Sequence, residues 1–222
     1  MTRHLRRNPL SVAPKVPATE PDLSSFHKQA ILTALRWAWQ ELVRTAPHIL
    51  IDGTEDEITD KLQTLLNDRR SGRRLAIWIK DFETVTRGES QRTADGRLNK
   101  KPDLVFRPPP YSAVVNATRW GWFIECKIID GGTSLRAYRD EGVSRFWAGE
   151  YAAWMPSGAL LGYVRDGSRP IPSLNTTLNA TVGTRWHLPG PTPDQSHSHH
   201  DRSKTANPCI AITLTHVWLP AK

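Results

Sequence analysis

At 222 residues, 38% hydrophobic and 23% charged, the chain has enough apolar material for one core and too much for a disordered protein. Thirty Lys and Arg against 22 Asp and Glu leave a formal charge of +8, which suits a polyanionic partner, because each cation set on a phosphate releases condensed counterions. Two cysteines, Cys126 and Cys209, are too few for a disulfide scaffold and point to a reducing cytoplasm, and no apolar run approaches the ~20 residues of a membrane helix.

Residues 1–22 hold Pro9, Pro14, Pro17 and Pro21 among Arg3, Arg6 and Arg7. They show no periodicity and no signal-peptide core, so a flexible basic tail is expected, with 23–222 as one domain. From Ser24 to Thr45, Leu32, Leu35, Trp39 and Leu42 recur at helical spacing until Pro47 ends the run. After Ile49–Ile51 and the break at Asp52-Gly53, Thr54 reads as a helix N-cap, and Glu57, three residues on, completes a capping box. That helix, to about Arg69, buries Ile58, Leu62, Leu65 and Leu66. Leu75–Phe82 reads as a strand. The polar stretch Arg87–Lys101 reads as a loop around the turn Asp95-Gly96, with five cations: Arg87, Arg92, Arg97, Lys100 and Lys101.

Pro102–Phe106 is a short strand stopped by three prolines, and Trp120–Ile129 is the strongest strand, closed by Gly131-Gly132. Residues 135–154 form a long helix and Ala159–Val164 another strand. Residues 169–208, poor in apolar side chains, read as a loop-rich extension, and Cys209–Leu219 is the last strand. This order predicts an α/β (α+β) fold with a mixed central sheet flanked by helices, its core about 54–164.

The chemistry concentrates in Glu125-Cys126-Lys127. Residues i and i+2 of a strand project from one face, so Glu125 and Lys127 emerge together while Trp122, Ile124 and Cys126 face the other way. A carboxylate and an ammonium inside an apolar strand are costly unless they serve each other or a ligand. Asp103 opens the preceding strand, and pairing of the two strands brings both carboxylates to one point. Two hard oxygen ligands with open water positions suit Mg²⁺. Such a cation polarises a phosphate oxygen and generates hydroxide, with Lys127 orienting the water or neutralising transition-state charge.

Pro102-Asp103 followed by Glu125-Cys126-Lys127 resembles the signature of the PD-(D/E)xK nuclease superfamily, and the element order from Thr54 to Val164 is similar to its restriction-endonuclease-like core. The resemblance implies a metal-dependent nuclease hydrolysing phosphodiester bonds with Mg²⁺ or Mn²⁺. Asp103 and Glu125 are then metal ligands, Lys127 the catalytic lysine, and Cys126 a ligand through its backbone carbonyl. Members often add an acid from the first core helix. Glu55 is favoured there, because it shares the apolar face of Ile58, Leu62 and Leu65, whereas Glu57 serves as a cap. Members also place a polar residue on the helix after the lysine strand, where Tyr138 and Arg145, seven apart, share one face. Both are candidate nucleic-acid contacts, as is the basic loop Arg87–Lys101 running into Asp103. The departure from the pattern is the insertion Arg107–Arg119, which leaves the pairing register open.

The bland readings are a solvated ion pair for Glu125 and Lys127 and a turn residue for Asp103; the apolar setting and the combination favour a site. His197, His199 and His200 lack zinc-ligand spacing and read as a polar loop, from which His199 and Arg202 reach a substrate only if it folds back. The expected activity is a DNA endonuclease, with RNA the alternative polymer. By analogy it belongs to bacterial defence or restriction, acting as a homodimer or as the cutting subunit of a larger system. The competing readings are a catalytically silent nucleic-acid-binding module on the same fold and an interaction subunit for an acidic protein.

Overall fold

The structure, a computed structural model, describes residues 19–71, 82–88, 101–111, 113–114, 116–131, 134–168, 170–179 and 183–221. Helix α1 (Ser25–Thr45) begins where the Ser24 hydroxyl accepts from the His27 N–H at 3.1 Å. It buries Ile31, Leu35, Ala38, Trp39 and Leu42. Pro47 does not simply stop it. Proline's missing N–H costs nothing in a first helical turn, and Pro47 opens α2 (Pro47–Asp52), which absorbs the Ile49–Ile51 stretch. The capping box at the start of α3 (Glu55–Ser71) is closed in both directions: Thr54 N–H donates to Glu57 Oε2 at 2.7 Å and Glu57 N–H to Thr54 Oγ1 at 3.2 Å.

Among the described residues, six strands form one mixed sheet in the order β1-β2-β3-β6-β5-β4. They are β1 (Leu104–Phe106), β2 (Trp122–Ile129), β3 (Ser157–Val164), β4 (Thr184–Pro189), β5 (Gln195–Asp201) and β6 (Ala211–Pro220). The central β2, β3 and β6 are mutually parallel, and β1 joins antiparallel on one side, β5 and β4 on the other. Parallel strands covered on both faces read as continuous apolar runs, and all of β3 is buried. On one face Trp39 of α1 stacks on Tyr163 at 5.2 Å, and Thr59 of α3 bonds the Tyr163 hydroxyl at 3.1 Å. On the other face Gly142 and Phe146 pack onto Leu160 and Gly158. The expected mixed sheet flanked by helices is present. Among the described residues no helix is long and apolar enough to cross a membrane.

Three expectations change, and a fourth lies almost wholly outside the described residues. Of the strand Leu75–Phe82 only Phe82 lies within the described residues; the segment beside β1 is 83–88, with Thr86 bridged to Val105 and Glu83 N–H on Arg107 O at 2.8 Å. The helix expected over 135–154 is α4 (Ser134–Ala137), a π-helical stretch (Tyr138–Val143) and α5 (Ser144–Ala148). Gly149 ends it at φ 76°, where a side chain would strike Asn207. Of the expected tail 1–22, residues 1–18 lie outside the described residues, but its last residues are held: Glu20 is buried, its N–H on Trp154 O at 3.0 Å, and Ser157 Oγ donates to Asp22 at 2.5 Å.

The largest correction concerns 169–208, which contains α6 (Pro170–Asn179), β4 and β5 rather than loop. Strand β5 buries Ser196, Ser198 and His200 instead of apolar residues. Ser198 and His200 are satisfied by a continuous polar chain: Tyr138 OH meets His216 Nδ1 at 2.8 Å, His216 Nε2 meets Ser198 Oγ at 2.7 Å, and Ser198 Oγ meets His200 Nε2 at 2.7 Å, whereas Ser196 Oγ has no hydrogen-bond partner among the described residues. Burial holds both imidazoles neutral, His200 down at about 3 and His216 well below its ordinary value. A core built of hydrogen bonds carries no hydrophobic periodicity to read.

Candidate active site

Register resolves the open insertion. Leu104 pairs with Ile124 and Phe106 with Trp122, so Asp103 sits one step beyond β1, its N–H on Ile124 O at 3.0 Å. Its carboxylate then turns to β2 and accepts from Cys126 N–H at 2.7 Å. N–H and C=O of a strand residue leave by the same edge, so the Cys126 carbonyl also lies on the Asp103 side, while its buried thiol points away.

Glu125 is 1% and Lys127 8% exposed. Lys127 Nζ donates to Glu55 Oε1 at 2.7 Å and lies 3.0 Å from Glu125 Oε1. Glu55 comes from the first turn of α3, where its second oxygen accepts from Ile128 N–H at 3.2 Å. Arg145 of α5 also binds Glu125 Oε1 and donates to the Tyr151 hydroxyl at 3.2 Å. The other Glu125 oxygen, Oε2, is buried with no hydrogen-bond partner among the described residues. Gly142 lets the π-helical stretch settle onto this point: a Cβ there would stand 2.7 Å from Leu160 Cδ2 and 4.0 Å from Glu125 Cγ.

The electrostatics follow from burial and crowding. Burial, then the charge of Asp103, pushes Glu125 up to about 7 against the pull of Lys127 and Arg145. Burial also raises Asp103 and Glu55, against the Cys126 N–H in the first and Lys127 in the second. For Lys127 burial acts downward, but Glu125 and Glu55 outweigh it and raise the ammonium above its ordinary value. Three carboxylates on one spot thus leave Lys127 firmly cationic and Glu125 poised near neutrality.

Of the residues picked from sequence, Asp103, Glu125, Lys127 and Glu55 come together, with the Cys126 backbone on the same edge. Arg145 joins them. Tyr138 does not: it is fully buried and its hydroxyl is occupied by His216, so it offers nothing to nucleic acid. Seven residues make two turns of a regular helix, and the π-helical stretch between Tyr138 and Arg145 breaks that count. Arg87 stands at the site, held by Asp56 Oδ1 at 2.5 Å and 3.8 Å from Asp103 Oδ1. Arg92, Arg97 and Lys100 lie outside the described residues, and Lys101 is exposed. His199 of β5 stacks on Trp186 of β4 at 5.4 Å, and Arg202 is fully buried, donating to the carbonyls of Phe146, Ala152 and Met155. The expected polar loop is sheet at His199 and core at Arg202, so the fold-back that would bring them to a substrate is not seen.

Sequence reasoning missed Glu150 and Tyr151, which close the site beside Arg145, because they follow a helix end that periodicity did not mark.

A hard divalent cation fits this donor set in two respects. Glu125 Oε2 is a buried oxygen with no hydrogen-bond partner among the described residues, and Asp103 Oδ1 lies 3.8 Å from Arg87 Nη2, beyond hydrogen-bond reach. In this arrangement Lys127 and Arg145 engage the acids, and among the described residues no three His, Cys, Asp or Glu side chains stand as a ready ligand group. Compared with protein families, with characterised proteins and with solved structures, the chain finds no match.

Proposed function

We propose that the chain is a metal-dependent nuclease that hydrolyses phosphodiester bonds in DNA, on a restriction-endonuclease-like core, with Mg²⁺ or Mn²⁺ as its cation. One observation carries the reading: a nearly fully buried carboxylate, Glu125, keeps an oxygen with no hydrogen-bond partner among the described residues where Asp103, Glu55 and Lys127 meet. Leaving such an oxygen dry costs about 1–3 kcal/mol or more, a cost that a ligand repays.

When bound, the cation supplies a Lewis acid for a phosphate oxygen and a water of lowered pKa. Asp103 and Glu125 would hold it, with the Cys126 carbonyl beside them; the Cys126 N–H fixes the Asp103 rotamer. Lys127 keeps its proton and sets a positive charge beside the phosphate as negative charge builds in the transition state. Glu55 orients that ammonium through the 2.7 Å bond. The net charge of +8 draws the polyanion in.

A second reading, a silent nucleic-acid-binding module, is favoured by the ion pairs already closed on Glu125 and Glu55. Supercoiled plasmid with Mg²⁺, Mn²⁺ or EDTA separates the two. The nuclease reading expects metal-dependent nicking that Lys127→Ala abolishes while still melting cooperatively. Plasmid binding without nicking in either metal supports the module, and normal nicking by Lys127→Ala overturns the mechanism.

A further inference from the structure

Resting on the nuclease reading, we propose that Arg145 is a two-position latch on the cation site, exchanging Glu125 for Glu150 when a divalent cation binds. Three buried polar atoms around this one guanidinium have no hydrogen-bond partner among the described residues: Glu125 Oε2, Arg145 Nε and Glu150 Oε2. The last two face each other across 4.0 Å, within strong Coulomb attraction but too far to share a proton. Each bears a desolvation cost that a short rotation of the guanidinium removes. What holds Arg145 back is its bond to Glu125 Oε1, an oxygen that Lys127 already approaches at 3.0 Å.

A divalent cation on Asp103 and Glu125 reverses that balance. It competes for the same carboxylate and repels the guanidinium behind it. Arg145 then has a carboxylate to go to without leaving its helix. Gly149, at φ 76°, turns the chain back, so that Glu150 N–H bonds Arg145 O at 2.9 Å and the Glu150 side chain returns beside the arginine. The receiving segment is held in place, since Arg202 ties down the carbonyls of Phe146, Ala152 and Met155. The Tyr151 hydroxyl, 3.2 Å from Arg145 Nη1, serves as the pivot. Before the cation arrives, Arg145 offsets the repulsion among Glu125, Asp103 and Glu55. Afterwards Glu150 stops it from opposing the bound charge. Glu150 is therefore a positioning residue for the metal site, through Arg145.

Calorimetric titration of the full chain with Mn²⁺ tests this in four proteins: wild type, Arg145→Gln, Glu150→Gln and the double variant, each first checked for a cooperative melt. Arg145→Gln releases Glu125 and is expected to bind Mn²⁺ about tenfold more tightly, within the range of ordinary coupling between sites. Glu150→Gln removes the receiving carboxylate and is expected to weaken Mn²⁺ binding about fivefold in the wild type and to change nothing in the Arg145→Gln background. An equal loss from Glu150→Gln in both backgrounds marks a general charge effect and overturns the latch. Equal affinity in all four proteins also overturns it and leaves the nuclease reading standing, whereas no Mn²⁺ binding by any of them sinks both. If Arg145→Gln does not fold, Glu150→Gln alone decides, and unchanged affinity rejects the latch.

Discussion

A carboxylate 1% exposed in the middle of a sheet costs more to ionise than to keep protonated, and Glu125 shows it by standing near 7 against an ordinary 4.5. Between those values the folded chain holds a proton that the unfolded chain has released. The stability Glu125 contributes is therefore present below pH 4.5, falls as pH rises toward 7, and is flat above. Glu125→Gln cannot lose that proton. In EDTA, the wild type is expected to lose stability relative to Glu125→Gln by up to about 3 kcal/mol across this window, read from urea melts at several pH values. Parallel pH profiles for the two proteins would mean that Glu125 is ionised throughout. Cys126, between Glu125 and Lys127, contributes its backbone to the site and its side chain to the core, as period-2 alternation demands.

The stretch Tyr138–Val143 shows how an element positions a residue that its sequence alone misplaces. A π-helical turn carries an extra residue relative to an α-turn, so every side chain after it rotates against those before it. Tyr138 ends in the polar core on His216 while Arg145 ends on Glu125. The contact point is Gly142, whose missing Cβ admits Leu160. Gly142→Ala is expected to destabilise the fold by about 1–3 kcal/mol, the usual cost of overpacking, and to draw Arg145 away from Glu125. Urea melts measure the first effect; the second predicts that Mn²⁺ affinity shifts in the direction of Arg145→Gln. An unchanged melt would place the helix farther from the sheet than described. Strand β5 offers a parallel case, since its buried Ser198 and His200 lie on a chain from Tyr138 to His200 in which each polar atom meets the next.

For the whole molecule, a charge of +8 implies salt-dependent DNA binding. Of the cations picked from the Arg87–Lys101 stretch, Arg87 is engaged by Asp56 and Asp103, which leaves Lys101 and those outside the described residues as candidates for phosphate contact. Replacing Arg92, Arg97, Lys100 and Lys101 by Gln is expected to flatten the dependence of log K on log salt by roughly 0.9 per lost contact, measured by fluorescence anisotropy; an unchanged slope removes that stretch from the interface. By itself the sequence determined what is local. The helix of Ser24–Thr45, the capping box at Thr54–Glu57, the strand around Glu125 and the common face of Glu125 and Lys127 all follow from periodicity or from hydrogen bonds within a few residues of chain. It also singled out Asp103 and Glu55 as partners, though not the register that joins them. Tertiary structure alone decided the rest: the one-step offset that turns Asp103 onto the Cys126 N–H, the π-helical turn that separates Tyr138 from Arg145, the polar core of 169–208, and the return of Glu150 and Tyr151 beside Arg145. Each depends on groups 18 or more residues apart, or on a backbone turn set by what packs against it, and neither leaves a periodic trace in the chain.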